Sequence, residues 1–582
     1  LYKGVVYKSC LSIDHTKGLC GLLNARCEWK IKLPRYPTTR DIQQIICDKS
    51  DAPAVVQIAP VLKAAPKIVY YDNCMPNLYA AVKRQCTAVC LPDPDMMKQF
   101  HTYMLDVILP EWVELLENFH YSYEVWYNHL TRSQQMEIDD IDHDYITSRF
   151  VKMFCKAEKQ MMDGAELPKN RAISALCAEH KYVLGPLIYA LEQYFKKWAG
   201  YAGGCNWEQL GKKYAERHHE GYTKNYQWDL SGMDRSVTLE IIEMIREPLY
   251  EMIKHKVHHV DPDVYDIHAF PKKTLITTKY FEKYEIKDIG TASLYGLVFS
   301  GSMDTTLFNT LVTICIGRFT FEHVLKFNKD EYIIEGKGDD GQAMTQPDVD
   351  TDYVVSGFNR VYLRAQNVKH HLSPLYIKHG LGMTLKYLSI SDRLDDLDFC
   401  STNCFYCDSC STYRITRKID RFLYLTPWTD SIHNLSRSQQ LAYINNIYES
   451  NIKWMDGLPI FDYINSTMRT NNKTKYSLAG KAKKVKPLND FDQRWYTELF
   501  DKTLDNKVAE LQRQFGKNRA HHIASQVSCI HKCCIDSYKD WLLEKMNLTT
   551  TDLETIKDDI EKHVDGVYSS PILEFGLASL EL

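Results

Sequence analysis

The chain is 582 residues long, 45% of them apolar, and carries a formal net charge of -4. Such a length and apolar content exclude a disordered scaffold and suffice for a large core divided into subdomains. The near balance of charge excludes a uniformly basic nucleic-acid coat, but not an enzyme whose positive potential is confined to a channel. The 18 cysteines are scattered without the framework of a small secreted domain, and no signal-peptide apolar region precedes them, so reduced cytosolic thiols are expected. No run reaches the roughly 18 to 20 apolar residues that a bilayer crossing needs. The chain opens on Leu1 and not on Met. That favours a processed product or a piece of a longer protein, with an expression boundary as an equal alternative. There is no internal repeat and no long low-complexity linker, which favours one interwoven enzyme over a solenoid or a string of modules.

In chain order, the first informative stretch is basic: Lys152, Lys156, Lys159, Lys169 and Arg171 are threaded among Phe150, Val151, Met153 and Phe154. A solvated basic face is the ordinary explanation, and a strand or loop lining a phosphate channel is the favoured one. Over 181–198, Tyr182, Leu184, Leu187, Ile188, Leu191 and Phe195 recur at helical spacing and predict a buried helix face. Residues 225–230 read as a short strand. After Asp234, the run Leu239, Ile242, Met244, Ile245, Leu249, Met252 and Ile253 predicts a helix, kinked or broken at Pro248. A second helix is expected beyond Gly301, through Leu307, Leu311 and Ile314. Tyr332, Ile333 and Ile334 form a strand that runs into Gly336-Lys-Gly-Asp-Asp-Gly341, the composition of a tight hairpin. Strand, helix, helix, hairpin alternate too irregularly for a doubly wound parallel sheet. The polar stretch 469–486, with Lys473, Lys475, Lys481, Lys483 and Lys484, reads as an exposed loop, RNA contact being its minority reading.

Phosphodiester synthesis with two divalent cations about 4 Å apart requires several carboxylates at one point, and Mg²⁺ selects oxygen ligands. Asp229 stands at the end of a predicted strand, while Asp339 and Asp340 stand at the tip of a predicted hairpin. Two such elements side by side would bring the three together. Gly-Asp-Asp alone is weak, since an Asp-Gly turn produces it without function. Its company is more specific: Asp229 and Asp234 lie five apart, and Ser300-Gly301 is followed by Thr305 and Asn309 in the required order.

With these residues the sequence resembles the RNA-dependent RNA polymerases of positive-strand RNA viruses, and within them the tombusvirus and nodavirus-like replicases. Asp229 to Asp234 resembles their motif A, Ser300-Gly301 with Thr305 and Asn309 motif B, and Gly338-Asp339-Asp340 motif C. The basic segment at 150–174 is similar to motif F, Gly380-Leu-Gly-Met-Thr-Leu-Lys386 to motif D, and Phe399-Cys400-Ser401 to motif E. The likeness covers roughly 150 to 421, and the first 140 residues match less clearly. Met233 stands where an aromatic commonly precedes the second aspartate, which keeps the apolar character.

The resemblance implies an α+β right-hand polymerase with fingers, an antiparallel palm and a thumb around an encircled active site. It implies an N-terminal region and fingers over 1–223, a palm over 224–400 with finger elements inserted at about 246–290, and a thumb with a C-terminal tail over 401–582. Asp229, Asp339 and Asp340 would hold two Mg²⁺ or Mn²⁺ ions. Lys152, Lys156, Lys159, Lys169 and Arg171 would bind the triphosphate, with Arg171 foremost. Asp234, Ser300, Gly301, Thr305 and Asn309 would frame the incoming ribonucleotide, with Asp234 as a helix N-cap its rival account. Lys386 would protonate the leaving pyrophosphate, against an ordinary surface lysine. The implied partners are single-stranded RNA template, nascent duplex, nucleoside triphosphates and other viral replication proteins. The expected location is the host cytoplasm, with recruitment to membrane-associated complexes through another segment or protein. Reverse transcriptase, and a non-catalytic RNA-binding or zinc-stabilised structural protein, are the alternatives. Finally, Cys400, Cys404, Cys407 and Cys410, spaced C-x3-C-x2-C-x2-C, are candidate ligands for one structural Zn²⁺, with His531, Cys533 or Cys534 as a substitute fourth ligand. The pairs His258-His259 and His370-His371 are given no role.

Overall fold

The computed structural model describes residues 5–6, 8–9, 27–30, 55–71, 90–142, 146–147, 150–156, 158–162, 171–270, 274–282, 285–294, 300–365, 377–429, 443–444, 447, 451, 454–471, 532–562 and 567–580. Helices and several small sheets are mixed throughout. The central sheet has five strands in the order Tyr332–Lys337, Asp340–Thr345, Lys224–Leu230, Thr384–Ser391, Leu363–Arg364. All neighbours are antiparallel except the last pair.

One face of this sheet is apolar and covered by helices. Trp228 lies on that face, edge-on to Phe358 of the helix Thr351–Val361. Gly317 of the helix Thr305–Arg318 comes so close to Ile334 and Trp228 that a methyl group there would collide with Ile334. This helix is buried on nearly every side, which explains why its apolar residues follow no single stripe. The opposite face is polar: Gln342 meets Tyr214, and Glu335 pairs with Arg217 at 2.7 Å, both partners on the helix Trp207–His219.

The helix expected over 181–198 runs as Ala178–Phe195. The one expected after Asp234 begins at Leu239, with the Thr238 side chain accepting from the Ile241 N–H as N-cap. Capping therefore does not fall to Asp234, which sits inside the short turn of helix Met233–Ser236. Pro248 neither breaks nor ends the helix. A wide π-type turn over Ile242–Arg246 precedes it, and Pro248 stands in the first turn of the helical segment Glu247–Lys254, where proline is tolerated.

A second five-stranded sheet has the order Cys27–Lys30, Glu285–Leu294, Thr274–Glu282, Phe150–Cys155, Ala172–Leu176. Strands 274–294, from the insertion expected at about 246–290, thus share a sheet with the basic segment. A third unit groups the helices Phe461–Asn471, Lys532–Met546, Thr550–Lys562 and Pro571–Leu580 around Phe422, Tyr538 and Leu542. Arg469 falls in the first of these helices, and the rest of the expected loop to residue 486 lies outside the described residues.

The N-terminal segment ties distant parts together. Val55–Gln57 pairs with Trp428–Thr429, Val61–Leu62 with Val567–Tyr568, and Ile68–Tyr71 with Lys159–Met161. Its strands thus join both the Lys159–Met161 strand and two strands from the C-terminal third. Among the described residues, no helix is long and apolar enough to cross a membrane.

Candidate active site

The hairpin turn is two residues, Gly338 and Asp339, between the paired Lys337 and Asp340. Gly338 adopts φ +64°, the conformation the first position of such a turn requires and glycine supplies without strain. Asp229 is the direct cross-strand partner of Asp340. On its other side Asp229 faces Tyr387, whereas Leu230 faces Leu385, so Lys386 is the extra residue of a β-bulge. The bulge re-aims its side chain. Its Nζ reaches Asp229 Oδ2 at 2.5 Å while remaining largely exposed. Strand pairing and one bulge thus collect Asp229, Asp339, Asp340 and Lys386 in one place.

Two of the carboxylates are perturbed by their neighbours. Loss of hydration, then the charges of Asp339 and Asp229, push Asp340 up to about 7. Asp339 is raised by the same two causes, desolvation and the charge of Asp229, with Arg171 and Lys386 offsetting part of it. The thiol of Cys400 hydrogen-bonds to Asp340. Cys400 and Ser401 both have left-handed backbones, φ 57° and 58°, rare for residues other than glycine. This strained corner carries the thiol toward the carboxylate.

Two side chains of the helix Thr305–Arg318 hold the turn. Gly338 N–H donates to Thr310 Oγ1 at 2.9 Å, and Thr313 Oγ1 donates to the Gly338 carbonyl at 2.7 Å. One residue's peptide groups are thereby fixed from both sides. Thr305 opens this helix, and Asn309 follows one turn later, largely buried. Ser300 Oγ accepts from Ser174 N–H at 3.2 Å, and Gly301 bridges to Ala175. A Cβ on Gly301 would stand 2.8 Å from the Ser174 carbonyl oxygen, which explains glycine there. The start of the helix is anchored by Asp304, which pairs with Arg246 at 2.9 Å and accepts from Tyr250 OH at 2.7 Å. Burial alone would raise the Asp304 carboxyl, but Arg246, Ser302 and Tyr250 together hold it below its ordinary range.

The basic segment divides. Lys152 is exposed on the strand Phe150–Cys155, opposite Ala175. Lys156 pairs with Glu158 at 2.9 Å, and exposed Arg171 approaches the same carboxylate at 3.6 Å while its charge acts on Asp339. Lys159 points elsewhere, its Nζ donating to the carbonyls of Leu425 and Trp428. Lys169 and the side chain of Asp234 lie outside what is described.

The expected zinc ligands are corrected. Cys404 is buried and donates to the Leu394 carbonyl, and Cys400 serves Asp340; burial pushes both thiols up, which disfavours the thiolate a metal needs. Cys407 and Cys410 instead converge with Cys533 and Cys534, four sulfurs within 4.8 Å of one another that could hold a metal ion. His531 lies outside the described residues.

Sequence reasoning missed Thr310, Thr313, Asp304, Arg246 and Cys400 as supports of the site. The available signal was polar residues in a helix otherwise apolar on all sides. His259 is a partly buried, satisfied residue, its ring bonded to Tyr121 and to the carbonyls of Tyr182 and Val183. No protein-family model matches the chain, and no curated protein matches it.

Proposed function

We propose that this chain is an RNA-directed RNA polymerase of the positive-strand RNA virus type, a right-handed enzyme that copies an RNA template from nucleoside triphosphates. The observation that carries the reading is the cross-strand pairing of Asp229 with Asp340, with Asp339 at the turn beside them. The charge of Asp229 raises the pKa of Asp339, and both raise that of Asp340, so the cluster calls for cations, and its oxygens suit Mg²⁺ or Mn²⁺. Two such ions, when bound, would activate the 3′-hydroxyl and steady the triphosphate.

The chain's own residues have the following parts. Asp229 and Asp339 would hold the ions and Asp340 would support them. Lys386 Nζ, largely exposed beside Asp229, exchanges Asp229 for the leaving pyrophosphate and carries a proton to it. Arg171 and Lys152 bind the triphosphate, with Lys156 beside them. Asp234, Ser300, Gly301, Thr305 and Asn309 frame the ribonucleotide. Lys159 is assigned to the join with Leu425 and Trp428 instead of to the substrate. An encircled active site is favoured by the N-terminal segment, which links the Lys159 strand to the C-terminal third. Fingers, palm and thumb would then correspond to the second sheet, the central sheet and the C-terminal helices. RNA template and duplex, further viral replication proteins, and a cytoplasmic replication complex at a membrane follow from the same reading.

The test is incorporation of labelled ribonucleotides on defined RNA templates, primed and unprimed, with Mg²⁺ or Mn²⁺. Template-dependent product from the wild type and none from Asp339→Asn is expected. No product from the wild type under any of these conditions, or product from DNA precursors in preference, would overturn the reading.

A further inference from the structure

We propose that Cys407, Cys410, Cys533 and Cys534 bind one Zn²⁺ that fastens the hairpin Thr402–Cys407/Thr412–Arg417 to the C-terminal helix Lys532–Met546. The inference stands on the cysteines alone and does not require that the chain polymerise RNA. Cys407 ends one strand, Cys410 follows in the tight turn, and Cys533 and Cys534 occupy the first turn of the helix. Cys410 Sγ lies 3.4 Å from Cys533 Sγ and 3.6 Å from Cys534 Sγ. Four sulfurs at about 2.3 Å from a central zinc stand about 3.8 Å apart along each tetrahedral edge, so the spacing already approximates a coordination sphere. A disulfide would require about 2.05 Å between sulfurs, far closer than any pair here.

Reduced cysteines packed as small apolar groups are the competing account, and the arrangement disfavours it. Thiols are weak donors and acceptors and gain little from converging. Here all four sulfur atoms converge on one point, although the two pairs are separated by 123 residues along the chain. Arg414, on the returning strand, directs its guanidinium hydrogen bonds to Cys410 and Cys534. A cation donating to sulfur suits a tetrathiolate, whose net charge with zinc is negative. An all-sulfur tetrahedral set selects zinc among the hard and borderline divalent ions, with iron as the competitor.

The position gives the ion a task. At its start the hairpin follows Cys400, whose thiol holds Asp340, and at its tip it meets the cysteine cluster. Along its length it lies so tightly on the helix Trp207–His219 that a Cβ on Gly211 would stand 2.0 Å from the Tyr413 carbonyl oxygen. Zinc would fix the far end of this lever to the C-terminal helices, and so hold the corner that bears on the carboxylates.

The experiment uses the whole chain purified under reducing conditions without chelator. Elemental analysis should find one zinc per chain, retained in Cys400→Ser/Cys404→Ser and lost in Cys407→Ser/Cys410→Ser and in Cys533→Ser/Cys534→Ser. So that a folding defect in the last two is not mistaken for loss of the site, zinc-edge X-ray absorption on the wild type supplies an independent reading. Four sulfur neighbours at about 2.3 Å are expected. Zinc well below one atom per chain, iron in its place, nitrogen or oxygen neighbours, or full retention in the two loss variants would each overturn the proposal.

Discussion

Replacing Asp340 by asparagine should make the metal-free protein more stable while impairing synthesis. Asp340 is raised from 3.8 to about 7 by loss of hydration and by Asp339 and Asp229. Below about pH 4 the group is protonated in folded and unfolded chains alike and affects nothing. Between about 4 and 7 the folded protein keeps a proton that the unfolded chain has lost, so stability falls as pH rises. Above 7 the full penalty applies. Three pH units at about 1.4 kcal/mol each set a ceiling of about 4 kcal/mol. The side chain is only half-buried and titrates together with Asp339, so about 1–2 kcal/mol is the expected size. Asparagine removes the charge yet still accepts from Cys400. In magnesium-free buffer at pH 8, Asp340→Asn should melt about 1–3 °C above wild type, and at pH 5 the gap should shrink to about a third of that. Added Mg²⁺ should raise the wild-type Tm at pH 8 and leave the variant nearly unchanged. The buffer should be freed of magnesium without strong chelators, which would also strip zinc. A wild-type Tm that does not fall between pH 5 and 8, or a variant no more stable than wild type at pH 8, would refute the repulsion argument.

Asp229→Ala or Asp339→Asn should abolish nucleotide incorporation while RNA affinity, read by fluorescence anisotropy, changes less than about twofold; near-normal elongation would remove the residue from the metal site. Thr310→Val with Thr313→Val leaves both peptide groups of Gly338 without their side-chain partners, at about 1–3 kcal/mol each. The double variant should lose at least about tenfold in kcat at nearly constant nucleotide KM, and full activity would show that the turn holds itself. Arg171→Ala should lower kcat/KM for nucleotide substantially. Lys159→Met should leave kcat/KM unchanged and lower Tm, because its ammonium serves the carbonyls of Leu425 and Trp428; a raised KM with unchanged Tm would return Lys159 to the substrate channel.

What was legible in the sequence was local. The strand before Asp229 and the Gly-Lys-Gly-Asp-Asp-Gly hairpin follow from β-formers and turn glycines a few residues apart, and both form where expected. The long helices follow from apolar spacing. What stayed hidden depends on distant pairing. Nothing near Lys386 announces a bulge, which exists only relative to the register of Asp229. The C-x3-C-x2-C-x2-C run suggests four neighbouring ligands, but strand alternation sends Cys404 under Leu394, and the second cysteine pair arrives from the far end of the chain. Five basic residues in sequence likewise cannot disclose which of them share a direction. Lys159 leaves the group because its own short strand pairs with Ile68–Tyr71, away from the Phe150–Cys155 strand.

The register that assembles the carboxylates is protected by what lies on the other side of the sheet. Trp228, Gly341, Gly336 and Leu388 face one another across four strands, one residue along from Asp229, Asp340, Lys337 and Tyr387. The two glycines are needed there: a Cβ on Gly341 would stand 2.1 Å from the Trp228 indole, and one on Gly336 would stand 2.8 Å from Ile314. Because side chains alternate, a slip by one residue would turn Trp228 toward the polar face and drive Asp229 into the helices. Burying an unpaired carboxylate costs several kcal/mol, and exposing a fully buried tryptophan forfeits about 3 kcal/mol or more. Both penalties oppose the slip, and together they exceed the roughly 1–2 kcal/mol by which the clustered aspartates strain the correct register. The packing of the Trp228 indole on Gly341 and of Ile314 on Gly336 is therefore what permits three mutually repelling carboxylates to stay together without cations.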